Sequence, residues 1–600
     1  MSRFLPNSGG GIVVVATRIR PRRQSSSPSP FLLASTSSPL LRRFSWKVDL
    51  DTGILTSKQH KDQQYQTIIG LEIHAQLDIA TKLFSGSPLP RTIFQSPNSC
   101  VWPLDVATPG VLPRLSLEAV QAAVLSAAAL GCDIPRQSRF ERKHYFYADI
   151  PLGYQVTQQR WPLARDGRLE CQRNNNNSRR KKKKNSPDSS FFTRIDRIQL
   201  EQDTGKTIVA KTEALVDFNR AGSALIEIVF EPDLRSARDA AIAVETLRNL
   251  LKHIGTCNGK MEEGSLRCDL NVSVAPVVDD NDDNLLSRSG KRVEVKNLNS
   301  LRQILKAAEY EAIRQVKQLE DGQPTGQETR TYDVKSGTTK VIRTKEEAKD
   351  YRFMPEPDLP PIVLDSEAFR GLDLVSFLEE NLPELPDAAR KRLCEDYNLS
   401  EYLANVVTGD LPAIKLLDDA IKVARSGLDE TYHKRVPDAV ANFLCNELFA
   451  LVRESQNQQK HELSQDGDDS SAKSYSVISG TQLGELIVMM LKGDISNTMA
   501  KQILQILYNE ESDKAPQAVA TERGFQLIKD EDHLAQFCRQ AIDNNPKELE
   551  KYKQGGKFAR KMIKFFVGKS MAASKGNAHP ERLNEVLHEV LDEVAPGVEQ

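Results

Sequence analysis

Five segments of the chain alternate polar and apolar residues, and each carries acids on its polar side: Ile68–Leu77, Arg197–Asp203, Leu225–Glu231, Ser265–Val274 and Arg292–Lys296. Successive side chains on a strand point to opposite faces. Glu72, His74 and Gln76 therefore share one face, opposite Leu71, Ile73 and Leu77. The same period groups Arg197, Gln199, Glu201 and Asp203, then Arg267, Asp269 and Asn271, then Glu294 and Lys296. The third segment is more apolar, broken only by Glu227 and Glu231. Paired, these strands make a sheet with an apolar back and a front of acids, bases and one histidine. A front of that kind suits a divalent metal and a phosphate-bearing substrate; a solvated sheet face has the same periodicity.

A chain of 600 residues is long enough for several domains, since one core rarely grows past roughly 250–300 residues. The eight cysteines are scattered without a C-x-x-C pair, which argues against a disulfide framework and a zinc ribbon and fits a reducing compartment. No apolar run approaches the ~20 residues of a bilayer span. The net charge of -1 hides a strong asymmetry. No acid precedes Asp49, while Arg3, Arg18, Arg20, Arg22, Arg23, Arg42 and Arg43 alternate with many serines. An Arg- and Ser-rich, acid-free leader reads as a mitochondrial transit peptide, or else as a disordered basic tail, and residues 1–48 are expected outside the fold.

Strand patterns dominate residues 65–365, with helices expected at Leu117–Leu130 and Leu301–Leu319. The polar stretches Asn174–Ser190, Asp279–Asn284 and Glu454–Lys473 have compositions expected of mobile surface loops; the lysine run in the first is either a solvated loop or an RNA contact. From 366 to 475 the pattern is helical, at Glu367–Glu380, Asp387–Tyr397, Ser400–Val407, Ala413–Ala424 and Pro437–Glu454. Residues 478–600 read as a separate all-helical module: Leu483, Leu486, Ile487, Met490 and Leu491 recur at helical spacing, as do Leu583, Val586, Leu587, Val590, Leu591 and Val594. Between them lies a basic stretch that includes Lys557, Arg560, Lys561, Lys564, Lys569 and Lys575. Such a density of cations either neutralises a phosphate backbone or forms a solvated helix face.

The common nucleotide signatures fail. Gly205-Lys206-Thr207 and Gly568-Lys569-Ser570 lack the P-loop's upstream glycine, with Leu200 and Ile563 in its place. No dinucleotide-binding, H-E-x-x-H or G-x-S-x-G motif is present.

Several longer motifs closely resemble the B-subunit family of glutamyl-tRNA(Gln) amidotransferases. They are Ile69–Leu77, Tyr145–Gln155, Leu200–Lys206, Asp217–Asp233, Gly259–Ser273, Glu294–Asn299, Gln327–Arg330, Asp350–Pro361, Gly493–Lys501 and Gly576–Pro580, in that order over about residues 66–598. The resemblance implies an α+β cradle with a mainly antiparallel sheet, an all-α helical domain and an all-α tail similar to the YqeY family. It implies ATP-dependent conversion of Glu-tRNA(Gln) to Gln-tRNA(Gln), with ATP and Mg²⁺. The partners it implies are an A-type amidase subunit that supplies ammonia, a small third subunit of C or F type, and the tRNA. It carries Glu72, His74 and Glu201 over as the catalytic core, with Asp203, Lys206, Arg220, Glu262, Arg267 and Asp269 as nucleotide- or substrate-binding residues. Glu72, Glu201 and Glu227 are the implied Mg²⁺ ligands, and Lys557, Arg560, Lys561, Lys564 and Lys569 the tRNA contacts. Histidine is a less natural Mg²⁺ ligand than an acid, so His74 orients nucleotide or substrate in this reading. The competing reading is a tRNA-binding scaffold without chemistry.

Two departures from the family stand out. Many members carry a C-G-C and C-P-V-C zinc site, where this chain has Ser85-Gly-Ser87 and Trp102-Pro-Leu-Asp105. Zinc needs about four ligands, so no zinc site is expected, and the segment is expected to hold by packing, with Trp102 a candidate. Gln202 stands where the family often has a second acid, which weakens a metal role for that position.

Overall fold

The computed structural model describes residues 46–597, apart from 58–62, 91–94, 174–189, 210–212, 278–286, 324–325, 345–349, 366, 410, 463–476 and 575. The leader up to residue 45, the polar stretches 174–189 and 279–284, most of 454–473 and Lys575 thus lie outside the described residues.

In chain order the strands are β1 (Trp46–Val48), β2 (Ile54–Ser57), β3 (Gln64–Gln76), β4 (Gln137–Ser138), β5 (Glu141–His144), β6 (Tyr154–Thr157), β7 (Ala164–Gln172), β8 (Ser190–Gln202), β9 (Lys206–Val209), β10 (Ala214–Asp217), β11 (Ala224–Phe230), β12 (Leu266–Pro276), β13 (Val293–Leu298), β14 (Glu328–Asp333), β15 (Thr338–Thr344), β16 (Met354–Pro355) and β17 (Ile362–Val363). One ten-stranded sheet runs β15-β14-β13-β12-β3-β11-β8-β7, with β2 pairing onto β3 and β1 onto β2. Its pairings are antiparallel except β13 with β14. The five alternating segments are the neighbouring strands β13, β12, β3, β11 and β8.

The apolar back of this sheet is covered by α1 (Leu117–Ala129), α2 (Ala237–His253) and α3 (Leu301–Glu320). Each begins at a serine whose hydroxyl accepts a backbone N–H three residues on, from Ala119 to Ser116, Asp239 to Ser236 and Gln303 to Ser300. Such caps satisfy donors that the first helical turn leaves open. Leu71, Ile73, Leu200, Ile226 and Leu270 pack with Val120, Val244, Leu247 and Ile304 in one core. With the helices on one side, the polar front stays available. A small sheet, β16-β5-β6, lies against that front beside β8.

The fold starts earlier than residue 49. Trp46 is buried at 2% exposure, and its ring meets Tyr65 edge-on at 5.4 Å. Residues 46–48 therefore belong to the cradle, because the Trp46 indole is apolar surface that the sheet removes from water.

The remaining helices are α4 (Leu374–Asn381), α5 (Pro386–Asp396), α6 (Glu401–Thr408), α7 (Leu411–Ser426), α8 (Val436–Phe443), α9 (Phe449–Glu462), α10 (Gly480–Leu491), α11 (Asn497–Asn509), α12 (Pro516–Arg523), α13 (Glu531–Asp543), α14 (Pro546–Tyr552), α15 (Gly556–Ala573) and α16 (Pro580–Val594). The helix expected from Glu367 begins only at Leu374. Arg370 and Gly371 have φ of 55° and 98°, which no right-handed helix accommodates, and Asp373 then caps the new start by accepting from Val375 and Ser376 N–H. The helix expected over Pro437–Glu454 is α8 and α9 joined by a π-helical turn, Leu444–Leu448, and α9 runs on to Glu462, into the stretch from Glu454 expected as a loop.

The expected division at 475–478 falls inside a single core. Leu483, Leu486 and Ile487 of α10 share it with Leu417, Ile421 and Val440, and it extends to Leu527; a second helical core runs from Leu534 to Ala595. The cause is local. A Cβ on Gly484 would come to 2.8 Å of the Ala420 carbonyl oxygen, and one on Gly480 to 2.4 Å of Asp419 Cβ. Glycines four residues apart let α10 press backbone-close to α7.

Candidate active site

Strand β3 is the centre of the front. Register sets His74 opposite Glu227 of β11 on one side and Arg267 of β12 on the other, with Glu72 opposite Asp269. One strand further out, Gln199 of β8 pairs with Glu227. Directly opposed side chains on one face approach closely enough to interact. His74 Nε2 consequently lies 3.7 Å from Glu72 Oε1, 3.9 Å from Glu227 Oε2 and 4.0 Å from Glu201 Oε1.

Glu201 is almost fully buried. Gln155 Nε2 donates to its Oε1 at 2.6 Å, and Tyr145 Oη donates to Gln155 at 2.8 Å. Its other oxygen, Oε2, is buried without a hydrogen-bond donor; Lys143 Nζ stands 3.8 Å away. Gln199 Nε2 donates to Glu227 at 2.8 Å. Burial opposes the ionised form of Glu201, yet the Lys143 ammonium, His74 and the neighbouring Thr157 and Glu227 side chains together outweigh it and hold the carboxyl below the ordinary value. Glu227 goes the other way: burial and the charges of Glu201 and Glu72 push its carboxyl well above the usual range. Two neighbouring carboxylates in unlike environments are thus split, one anionic and one a proton carrier.

Cations line the flanks. Asp203 Oδ2 accepts from Arg267 Nη2 at 2.9 Å and lies 3.5 Å from Arg220 Nε. Arg220 also donates to the carbonyls of Thr204 (3.0 Å) and Gly205 (2.8 Å). Asp269 accepts from Lys296 Nζ at 2.7 Å and from Asn297 N–H at 2.9 Å. Although burial works against charge, Lys296 and Asn297 keep the Asp269 carboxyl low, and Asp203 keeps Arg267 protonated.

Glu72, His74, Glu201, Asp203, Arg220, Glu227, Arg267 and Asp269 therefore converge on one front. Lys206 and Glu262 do not join them: Lys206 is exposed on the separate β9–β10 hairpin, and Glu262 is exposed on the turn before β12. Among the described residues, the set with ligand atoms mutually within 4.8 Å is Glu72, His74 and Glu227. The set that could hold a metal thus includes His74 and leaves out Glu201, which was expected with Glu72 and Glu227. A cation fits the chemistry here, since two carboxylates and an imidazole nitrogen offer ligand atoms within 4.8 Å of one another beside a third acid, Glu201.

Sequence reasoning misses Lys143, Gln155 and Tyr145. The latter two sit in a motif singled out for the family, yet strand periodicity on β8 and β3 says nothing about β5 and β6, which arrive from another sheet. The segment that carries Ser85, Ser87, Trp102 and Asp105 is held by charge as well as by the expected packing of Trp102, which lies on Gly86. Lys82 Nζ and Asp105 Oδ2 form a buried pair at 3.1 Å, and Ser85 Oγ donates to Asp105 Oδ1 at 3.0 Å. Trp102 is half exposed and covers Gly86.

On α15, Lys557, Arg560, Lys561, Lys564 and Lys569 are all exposed, while Ala559, Met562, Phe566 and Ser570 face the core. The first four fall at i, i+3, i+4 and i+7 and share one side.

Comparison with known proteins agrees with this layout. The GatB/GatE catalytic domain matches residues 67–370 and the GatB domain residues 428–591. The B subunit of the aspartyl/glutamyl-tRNA(Asn/Gln) amidotransferase of Thermodesulfovibrio yellowstonii is 38% identical over 532 residues, 88% of this chain and 100% of the relative. The B subunit of the mitochondrial glutamyl-tRNA(Gln) amidotransferase of Phytophthora infestans is 37% identical over 579 residues, 88% of this chain and 95% of the relative. The corresponding aspartyl/glutamyl-tRNA(Asn/Gln) amidotransferase chain of Persephonella marina is 35% identical over 528 residues, covering 88% and 100%. A catalytic-domain match over half the chain, and relatives aligned nearly end to end, carry one conclusion: the chain belongs to the GatB family.

Proposed function

We propose that this chain is the activating subunit of a tRNA-dependent amidotransferase and converts Glu-tRNA(Gln) to Gln-tRNA(Gln) with ATP. The observation that carries the reading is the meeting of Glu72, Glu201 and Glu227 within 4.0 Å of His74 Nε2, flanked by Lys143, Arg267 and Lys296. A carboxylate is a poor acceptor for ammonia. Transfer of the ATP γ-phosphoryl group to the glutamyl side chain forms an acyl phosphate and ADP. Ammonia then attacks the carbonyl carbon, inorganic phosphate leaves, and the attacking nitrogen gives up a proton. Phosphoryl transfer depends on positioning and on neutralising charge. Glu72, Glu227 and His74 would hold a Mg²⁺ ion, which would supply positive charge for the phosphate oxygens. Glu201, held anionic, orients the reacting groups through Lys143 and Gln155. Arg267 and Arg220 face the phosphates.

Ammonia comes from an amidase partner, with a small third subunit completing the assembly, and α15 meets the tRNA. The acid-free arginine leader and the mitochondrial relative support a mitochondrial location. The test is ATP-dependent Gln-tRNA formation by the chain assembled with its amidase partner, wild type against Glu201→Gln. Unchanged activity in the variant would favour the scaffold reading. Preference for Asp-tRNA(Asn) over Glu-tRNA(Gln) would replace the substrate.

A further inference from the structure

Away from the carboxylate cluster, Lys82 and Asp105 have side chains only 0% and 1% exposed, with Nζ and Oδ2 3.1 Å apart. Removing two charges from water is costly unless further bonds compensate. Here they do. Asp105 accepts from Ser85 Oγ (3.0 Å) and Trp102 N–H (2.9 Å). Lys82 Nζ also donates to the Phe218 carbonyl at 3.2 Å, across 136 positions of sequence. That bond reaches the 218–222 loop. Gly222 of this loop has φ +82°, and a Cβ on it would come within 2.9 Å of Asp105 Oδ1 and 3.4 Å of Lys82 Cδ. The loop's backbone carries the connection onward: Leu83 N–H donates to Gly222 O, Gly222 N–H to Asp203 O, and Asp203 N–H to Ser223 O, each at 2.9 Å. Arg220 lies on the same loop, and Asp203 holds Arg267. A cavity of about 20 Å³ is lined by Asp105 of the pair together with Asp203, Gly222 and the Glu201 partner Gln155.

We infer that Lys82 and Asp105 are positioning residues whose buried pair clamps the 218–222 loop and thereby sets Arg220, Asp203 and Arg267 at the cationic edge of the site. An apolar pair of similar volume would fill the space, but it offers no donor for the Phe218 carbonyl and no acceptor for Ser85 Oγ and Trp102 N–H. The functional part of this inference rests on the proposed reading that the edge faces the ATP phosphates.

The double variant Lys82→Met/Asp105→Leu separates clamp from stability, because replacing a buried ion pair by apolar residues is often neutral for folding. In the full chain assembled with its amidase partner, it is expected to melt close to wild type. Amide exchange at residues 203–205 and 217–223 should rise about tenfold, as expected for a locally loosened unit. The KM for ATP should rise about tenfold with kcat lowered less than about threefold, since binding geometry changes more than the reacting groups. Unchanged exchange over 203–205 and 217–223, or a wild-type KM for ATP alongside loosened exchange, overturns the inference. A wild-type complex without ATP-dependent amidation defeats the proposed function instead, and the exchange measurement then decides the clamp alone.

Discussion

The sheet front and helix α15 are both crowded with charge, and they use it in opposite ways. On the front, Glu201 is 3% exposed, and its oxygens meet Gln155 at 2.6 Å, Lys143 at 3.8 Å and His74 at 4.0 Å. On α15 the five cations are exposed, and none has an ion-pair partner among the described residues. Charges removed from water interact strongly and must be placed to a fraction of an ångström. Charges left in water act together as a screened field, and no single one matters much. Under the proposed function, the first arrangement suits a reaction centre and the second a surface that meets the tRNA backbone.

The largest expected effect tests the first half of that contrast. Under the proposed function, Glu201→Gln keeps the shape and removes the charge, and kcat for ATP-dependent amidation should fall about 10³-fold. A loss of less than about threefold would make the front no more critical than a surface. Lys143→Met comes next. It leaves Glu201 buried beside a neutral chain, so the protein should lose about 3 kcal/mol in denaturant unfolding, with activity reduced in parallel. Equal stability would mean that His74 and Gln155 suffice for Glu201.

A smaller effect concerns protons. Glu227 has its folded value raised, so it keeps a proton to higher pH than an ordinary carboxyl. A divalent cation must displace that proton. Mg²⁺ affinity should therefore weaken as pH falls below the raised value, by up to about tenfold per pH unit, with proton release on binding seen by calorimetry in buffers of different ionisation enthalpy. The same group lowers stability as pH rises from the ordinary carboxylate range through the raised value, because the folded state binds more protons there. Glu201, held low, acts conversely and loses its contribution as pH falls through its own value. The smallest effect is on α15. Lys564→Ala should weaken tRNA binding about threefold and reduce the salt slope of log K by about 1. A loss as large as that of Glu201→Gln would erase the contrast.

Much of the front was legible because period two is a property of the pleat. Glu72 with His74, and Glu201 with Gln199, share a side whatever the strands pair with. The helical core was less legible. Residues 480–491 look like the start of a new module by pattern, yet Gly480 and Gly484 dock α10 on α7, and hydrophobic spacing does not say which helix will receive it. Composition places Trp46 with the leader because charge and serine content dominate the residues before it, whereas its burial is decided by β2 and Tyr65. Lys82 gives no signal in the sequence, since a lone lysine in a loop is ordinarily solvated.

By itself the sequence determined which side chains would face together, that a sheet precedes a helical region, and, through its long motifs, the family. Tertiary structure alone decided that β3 lies between β11 and β12, so that Glu227 and Arg267 both oppose His74. It alone brought Lys143 and Gln155 from a second sheet onto Glu201, and Lys82 onto the loop of Arg220. The reason is physical: alternation is a short-range consequence of backbone geometry, whereas the company a charge keeps depends on strand order and register, which are settled only when distant segments bury their apolar faces together.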